Sequence, residues 1–124
     1  MEQRPITLVI GASENPERYA NKAVRLLNHY QHNVLAVGSR KGRIDNTGIA
    51  DNISEIPQEN IDTVTLYINP MRQSALYEAI INLKPRRVIF NPGTENEMFE
   101  NMLEEKGIIT EEACTLVLLR TGQY

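Results

Sequence analysis

Short apolar runs that stop at glycine or at Asn-Pro alternate along this chain with segments of helical periodicity. Four such runs occupy residues 6–10, 34–37, 63–68 and 87–90. Apolar residues recur every three or four positions in residues 20–30, 75–83 and 98–103. The first pattern is typical of buried strands and the second of amphipathic helices, so an α/β protein is predicted.

This alternation predicts a Rossmann-like, doubly wound fold, in which helices cover both faces of one five-stranded parallel sheet. Residues 108–109 supply the short fifth strand, and the predicted strand order is 3-2-1-4-5. Residues 39–60 are polar and turn-rich with a weak apolar pattern, while residues 113–119 are ambiguous between helix and strand. No repeat or linker divides the chain, so residues 1–124 are predicted to form a single domain.

Small or polar residues follow each of the first four predicted strands. These turn segments are Gly11-Ala12-Ser13, Gly38-Ser39-Arg40, Asn69-Pro70 and Asn91-Pro92-Gly93-Thr94. Parallel strands bring such turns to one edge of the sheet, and ligands of doubly wound folds bind outside that edge. The sequence therefore predicts a ligand site there.

The turn Gly11-Ala12-Ser13 suits a phosphate group. Small residues let an anion approach backbone N–H groups, the following helix directs its positive end at the anion, and Ser13 adds a hydroxyl donor. The segment matches neither the G-x-G-x-x-G pattern nor a P-loop. A tight connection without any ligand explains the turn equally well.

Three cations, Arg40, Lys41 and Arg43, follow the second predicted strand. Dinucleotide-binding folds usually carry an acidic residue there for the ribose hydroxyls. Positive charge suits a phosphorylated ribose instead, as in NADP or coenzyme A (CoA), and a solvated basic loop is the alternative. Three residues at the start of the first helix either contact the same ligand or cap the helix: Tyr19, Asn21 and Lys22.

Neither a catalytic set nor a metal site is predicted. His29 and His32 lie near the end of the first helix, away from the predicted site, and are expected on the surface. Cys114, the single cysteine, lies in an apolar run and is expected to be a buried thiol. No nucleophile can be matched with a base and an orienting group.

Bulk properties exclude several partners. A net charge of −3 gives no general attraction to nucleic acid or to anionic membranes. No stretch of 18 apolar residues and no signal-peptide pattern occurs. One cysteine fits a reducing compartment, so a cytoplasmic location is predicted. The sheet edges and the apolar segment 116–119 allow a homodimer without requiring one.

Four segments together resemble the small stand-alone CoA-binding proteins of bacteria, which are similar to the CoA-binding domain of succinyl-CoA synthetase alpha subunits. The segments are VIGASENPERYANKAVRLL, GIADNISEIPQENIDTVTLYINP, NPGTENEM and EACTLVLLRTGQ. Their order and spacing cover nearly the whole chain. The resemblance implies a compact Rossmann-like domain with CoA as its ligand.

The resemblance implies that the CoA pyrophosphate lies against Gly11, Ala12 and Ser13, with residues 19–22 close to the same phosphates. After the second strand, many relatives carry Asn-Pro, where this chain has Gly38-Ser39. The following Arg40 and Lys41 are suitable partners for the 3′-phosphate.

Other matched positions are implied to surround the rest of the ligand. Residues 54–57, which include Ile56, match a segment that packs beside the adenine. Asn69-Pro70 matches a turn that often bears arginine in relatives, and the nearest arginine here is Arg72. The turn that faces the pantetheine is matched by Asn91, Gly93, Thr94 and the adjoining Glu95.

The predicted function is therefore non-catalytic binding of CoA or an acyl-CoA as a small-molecule nucleotide ligand. The alternatives are an NADP-dependent or other nucleotide-dependent enzyme, and a Rossmann-like interaction module that has no ligand and recognises a protein partner. The length of 124 residues leaves little room for the substrate domain that such an enzyme needs.

Overall fold

The computed structural model describes residues 5–124 and contains one seven-stranded sheet. Its strands are β1 (Ile6–Ile10), β2 (Asn33–Val37), β3 (Gly42–Ile44), β4 (Thr47–Ala50), β5 (Ile61–Leu66), β6 (Arg87–Phe90) and β7 (Ile109–Glu112). They lie in the order β3-β4-β2-β1-β5-β6-β7, and all neighbours are parallel except the antiparallel pair β3 and β4. The sheet is Rossmann-like, as predicted.

Five α-helices flank the sheet: α1 (Tyr19–His29), α2 (Pro70–Gln73), α3 (Tyr77–Leu83), α4 (Glu97–Glu105) and α5 (Thr115–Arg120). On one face, Val24 and Leu27 of α1 pack with Leu119 of α5 in one apolar cluster. On the other face, Ile80 of α3 and Phe99 of α4 belong to a second cluster. Helices therefore cover both faces of the sheet, as predicted, although the sheet has seven strands rather than five.

The predicted strand order 3-2-1-4-5 is wrong. Residues 39–60 contain two strands that the prediction omits, and β4 takes the place beside β2 that was assigned to residues 63–68. Those residues instead overlap β5, on the opposite side of β1. Numbered in chain order, the six parallel strands lie 3-2-1-4-5-6.

The missed strands form a hairpin with few apolar residues. Ile44 and Ile49 are its buried aliphatic side chains, and Asp45-Asn46 form the two-residue turn. Asp45 adopts a φ of 51°, a conformation that aspartate tolerates better than most residues. Two aliphatic anchors are too few for a periodic apolar signal, so the segment resembles a loop in the sequence.

The C-terminal part differs from expectation in detail. The ambiguous residues 113–119 lie mostly in α5, and β7 is longer than the predicted strand at residues 108–109. Gly107, with a φ of 79°, follows the end of α4, at the position where glycine commonly ends a helix. Cys114 is half-buried at the start of α5 rather than fully buried. No helix within residues 5–124 has the length and hydrophobicity needed to cross a bilayer.

Candidate functional site

Two cavities lie at the carboxyl edge of the sheet, with volumes of about 370 Å³ and about 580 Å³. We call them the first and the second cavity. The two cavities adjoin, and we call the pair the cleft and the four residues that line both of them its neck: Gly11, Ser39, Ile68 and Arg72. Each volume falls in the range of roughly 300–1,000 Å³ that is typical of small-molecule sites.

The position of the cleft follows from the topology. The chain leaves β1 toward α1 on one face of the sheet, and it leaves the adjacent β5 toward α3 on the other face. Where two neighbouring strands send their connections to opposite faces, a crevice opens at their carboxyl ends. Turn residues after β1, β2, β5 and β6 line this crevice, as the sequence predicted.

The turn after β1 is small because the chain itself is crowded there. Gly11 has a φ of 98°, and a Cβ at this position would lie 3.0 Å from the carbonyl of Tyr67. The N–H groups of Gly11 and Ala12 both donate to the Val37 carbonyl, at 2.8 and 3.0 Å. Both N–H groups are therefore already hydrogen-bonded within the protein. Crowding by the neighbouring backbone accounts for the glycine at position 11 without any ligand.

Gly38 meets the same turn from the neighbouring strand. A Cβ on Gly38 would lie 2.2 Å from the Ala12 carbonyl oxygen, closer than any real contact. The Gly38 N–H donates to the Ala50 carbonyl at 2.9 Å, so the residue is fixed from the other side by β4. The backbone at the floor of the cleft is thus rigid, because it is fixed by contacts between the carboxyl ends of β1, β2 and β4.

The loop between Ser13 and α1 is organised by local hydrogen bonds. The Asn15 N–H bonds to the Ser13 hydroxyl at 3.1 Å, and the Asn15 side chain accepts from the Glu17 N–H at 3.0 Å. Buried Asn21 donates from Nδ2 to the Ser13 carbonyl at 2.8 Å, and its Oδ1 accepts from Arg25. Asn21 therefore holds the loop in place rather than facing the cleft.

The N-terminus of α1 opens onto the second cavity. No side chain caps this helix, and Tyr19 and Ala20 in its first turn line the cavity. The first N–H groups of a helix have no partner within the helix, and the helix dipole adds positive potential at this end. An anion in the second cavity would therefore be stabilised by α1.

Cations lie at the neck and around the mouth of the cleft. Arg72 lines both cavities, and Arg18 lines the second. Arg40 is exposed beside Ser39, outside both linings, and Lys41 Nζ lies 4.0 Å from the Glu55 carboxylate on the surface. Arg18 and Arg72 were missing from the residues predicted for the site.

Arg72 reaches the neck because of how α2 begins. Asn69 caps this helix by accepting from the Arg72 N–H at 3.0 Å, and Pro70 occupies the first helical position. The Asn-Pro pair is a helix-start signal, and it predicts that the third residue after Asn69 lies in a first turn at the carboxyl edge. That signal could have identified Arg72 from the sequence.

The turns after β5 and β6 form the opposite wall of the second cavity, which Asn69, Gly93 and Thr94 line. Asn91 is buried below this wall. Its Nδ2 donates to Thr65 Oγ1 at 2.6 Å and to the Leu66 carbonyl at 2.9 Å, and its Oδ1 accepts from the Thr115 N–H at 2.8 Å. Asn91 thus joins β5, β6 and α5.

Nine of the sixteen predicted site residues line the cleft: Gly11, Ala12, Ser13, Tyr19, Gly38, Ser39, Asn69, Gly93 and Thr94. The other seven do not line either cavity: Asn21, Lys22, Arg40, Lys41, Ile56, Pro70 and Asn91. Among these, Ile56 packs in the apolar core, and Lys22 Nζ lies 5.3 Å from the centre of the Tyr19 ring.

The acidic side chains that line the cleft are Asp51 in the first cavity and Glu17 in the second, where Tyr19 and Tyr67 add phenols. Burial raises the pKa of the Tyr67 phenol, which stays neutral at physiological pH. Neither cavity is lined by a histidine or a cysteine. Within residues 5–124, no group of three or more histidine, cysteine, aspartate or glutamate side chains is placed to hold a metal ion.

Solved structures share this fold. A crystal structure described as that of an uncharacterized protein has a TM-score of 0.92 and 44% identity, over 99% of this chain and 100% of the other. A Thermus thermophilus protein has a TM-score of 0.86 and 21% identity, over 98% of this chain and 91% of the other.

A larger enzyme contains a similar region. The dinucleotide forming acetyl-coenzyme A synthetase 1 of Ca. Korarchaeum cryptofilum has a TM-score of 0.70 and 14% identity, over 87% of this chain but 25% of its own length. None of the curated proteins matches the chain significantly. Residues 6–120 match the family model described as CoA binding domain. This match spans nearly the whole described chain, which therefore belongs to the CoA-binding domain family.

Proposed function

We propose that this protein binds coenzyme A or an acyl-CoA in the cleft and has no catalytic activity of its own. One observation carries the proposal. Arg72 lies in the neck that the two cavities share, and within residues 5–124 its guanidinium takes part in no ion pair. An unpaired cation between two cavities suits a ligand that has an anionic group at its centre and a substituent on each side of it.

CoA has this shape, because its pyrophosphate joins an adenosine to a pantetheine chain. We place the pyrophosphate at the neck, where Arg72 would bind it from one side. The first-turn N–H groups of α1 and the Ser13 hydroxyl would donate from the other side. Charge-assisted hydrogen bonds of this kind are stronger than neutral ones, and the α1 dipole adds to them.

The linings of the two cavities support an orientation. The first cavity has aliphatic walls that include Ile53, Ile68 and Leu76, which suit the flat face of an adenine. The second cavity runs past Asn69 and Thr94, whose polar groups suit the pantetheine amides. Arg40 and Lys41, exposed next to Ser39, would then bind the 3′-phosphate outside the first cavity.

The proposed ligand contacts are the nine predicted residues that line the cleft, together with Arg18, Arg72, Arg40 and Lys41. We assign Asn21 to shaping the turn after β1, and Asn91 to joining β5, β6 and α5 below the cleft. The absence of histidine and cysteine from both linings supports a binding role over nucleophilic catalysis. With a single cysteine in the chain, we place the protein in the cytoplasm.

Calorimetric titration with CoA, dephospho-CoA, acetyl-CoA and NADP tests the proposal. We expect CoA to bind well and NADP weakly. Arg72→Ala should weaken every CoA form by about 10- to 100-fold, the loss expected for a charge-assisted contact of about 1.5–3 kcal/mol. Arg120→Ala is the matched control, because Arg120 is exposed at the far end of α5. Failure of all four ligands to bind would refute the proposal.

A second variant tests the 3′-phosphate contact separately. Arg40→Ala should weaken CoA more than dephospho-CoA, because only CoA carries the 3′-phosphate. Equal losses for the two ligands would remove Arg40 from that role while leaving the neck assignment intact.

A further inference from the structure

Gln73 is a fully buried polar residue directly behind the wall of the second cavity. It is the last residue of α2, and both hydrogens of its amide are used. Nε2 donates to the Ile68 carbonyl at 2.9 Å and to the Thr94 carbonyl at 2.8 Å. Ile68 belongs to the turn after β5 and Thr94 to the turn after β6, so one side chain ties the two turns together.

The orientation of this amide is itself fixed. Gln73 Oε1 accepts from Asn96 Nδ2 at 2.9 Å, and the same Nδ2 donates to the Tyr77 hydroxyl at 2.8 Å. Asn96 cannot be reversed, because its Oδ1 caps α4 by accepting from the Phe99 N–H at 3.1 Å. A flipped Gln73 would direct its oxygen at two carbonyl oxygens and its NH₂ group at a donor.

Fixing a carbonyl also fixes the N–H of the same peptide group. In a trans peptide the C=O and the N–H point in opposite directions, and residues 5–124 contain no cis peptide. With the carbonyls of Ile68 and Thr94 drawn back toward Gln73, the N–H groups of Asn69 and Glu95 point the other way. Within residues 5–124 neither N–H has a hydrogen-bond acceptor.

We infer that Gln73 is a positioning residue, which turns the N–H groups of Asn69 and Glu95 toward the second cavity as donors for a ligand oxygen. Asn69 and Thr94 line that cavity, so the two peptide groups lie in its wall. Two N–H donors fit a carbonyl or a phosphate oxygen. The inference rests on the proposed function, since it assigns these donors to the oxygen-bearing part of CoA in this cavity.

Asn91 provides the matched comparison. It is also buried, and its amide also makes three hydrogen bonds, but its partners are Thr65, Leu66 and Thr115. None of these residues lines the cleft. Loss of the Asn91 amide should therefore lower stability without moving the N–H groups of Asn69 and Glu95. Loss of the Gln73 amide should lower stability and also move these N–H groups.

The test replaces each amide by a carboxyl group of nearly the same shape, in Gln73→Glu and Asn91→Asp. CoA affinity is measured by calorimetry at pH 8 and pH 5.5, well below each melting temperature. The carboxyl introduced by Gln73→Glu offers at most one donor where the amide offers two, and none once it is ionised, so at pH 8 we expect CoA to bind at least about tenfold more weakly than to wild type. Burial raises the pKa of such a carboxyl, so protonation at pH 5.5 should restore one donor. The difference in CoA affinity between Gln73→Glu and wild type should then become smaller.

Asn91→Asp should keep CoA affinity within about twofold of wild type at both pH values. Should Gln73→Glu fail to fold, Asn96→Asp replaces it. This variant retains the α4 cap but loses the donors to Gln73 and Tyr77, so it should weaken CoA in the same direction. A folded Gln73→Glu protein with wild-type affinity at pH 8 would overturn the inference. An Asn91→Asp protein whose CoA affinity falls as much as that of Gln73→Glu would also overturn the inference.

Amide NMR spectra separate this inference from the proposed function. In the ligand-free protein, Gln73→Glu should shift the Asn69 and Glu95 N–H resonances, and Asn91→Asp should leave them in place. If wild type binds no CoA, the proposed function fails, and unchanged Asn69 and Glu95 resonances in Gln73→Glu would overturn the positioning role as well.

Discussion

Replacing Gly38 by alanine tests whether the floor of the cleft is as rigid as its contacts indicate. The added Cβ would lie 2.2 Å from the Ala12 oxygen, whereas ordinary contact begins near 3.4 Å. The two groups must therefore separate by about 1.2 Å, the difference between these distances. Three backbone hydrogen bonds of 2.8–3.0 Å resist that movement: two to the Val37 carbonyl and one from Gly38 to Ala50.

The magnitude follows from these opposing effects. Overpacking costs about 1–3 kcal/mol, and weakening one of the three hydrogen bonds adds about 1 kcal/mol. Any Gly→Ala change also lowers the conformational entropy of the unfolded chain, which offsets about 0.4–1 kcal/mol of this destabilisation. The free energy of unfolding should fall by about 1–3.6 kcal/mol. With an unfolding entropy of about 2.1 cal/mol/K per residue, the melting temperature should fall by about 4–14 °C.

Gly48→Ala is the control, because a Cβ there would meet nothing within 4 Å. It should leave stability unchanged or raise it by about 0.4–1 kcal/mol. Thermal melts and urea titrations followed by circular dichroism measure both variants. If Gly38→Ala melts within about 2 °C of wild type, the turn after β1 yields easily and the rigid floor is refuted.

Three further substitutions test the charged groups. Burial and the neighbouring Glu112 raise the pKa of Glu100 to about 6, so its ionisation penalises the folded state above that pH and not below pH 4.5. Glu100→Gln should therefore melt higher than wild type at pH 8 with an advantage that vanishes near pH 4.5, and a pH-independent difference would contradict this reasoning. Arg87 is buried, with Nη1 3.1 Å from Glu111 and its guanidinium over the Tyr124 ring. Glu111→Gln leaves this cation unpaired and should cost about 2–3 kcal/mol in urea titrations, while Arg87→Met should cost about 1 kcal/mol or less; the reverse ranking would refute the desolvation argument.

Strong local signals predicted most of the fold. Runs rich in aliphatic, β-branched and aromatic residues predicted β1, β2, β5 and β6, because a strand covered on both faces is mostly apolar on both sides. The hairpin β3–β4 escaped detection because it lies at the sheet edge and needs only Ile44 and Ile49 as anchors. Omitting it displaced the next strand to the wrong side of β1, so one weak local signal produced an error in topology.

The location of the candidate site was predicted more reliably than the individual residues that line it. Strand ends located the cleft because parallel strands end at a common edge. Side chains near those ends can point inward or outward, and the sequence does not distinguish the two. Asn21 and Asn91 are polar residues beside the turns, as ligand contacts are, yet the fold uses their amides internally. Arg72 could have been placed at the cleft from the sequence only by recognising Asn69-Pro70 as the start of a helix.

The two outer strands bear on how copies of this chain behave at high concentration. A sheet edge is a template for another strand, and β3 offers only three residues, among them Gly42 and Arg43. At the other edge, β7 ends in Glu111 and Glu112, which would face like charges on a second copy. A short, glycine-containing strand at one edge and a charged strand at the other both discourage pairing with a second sheet. The two edges therefore protect the protein against strand-to-strand association when many copies are crowded together.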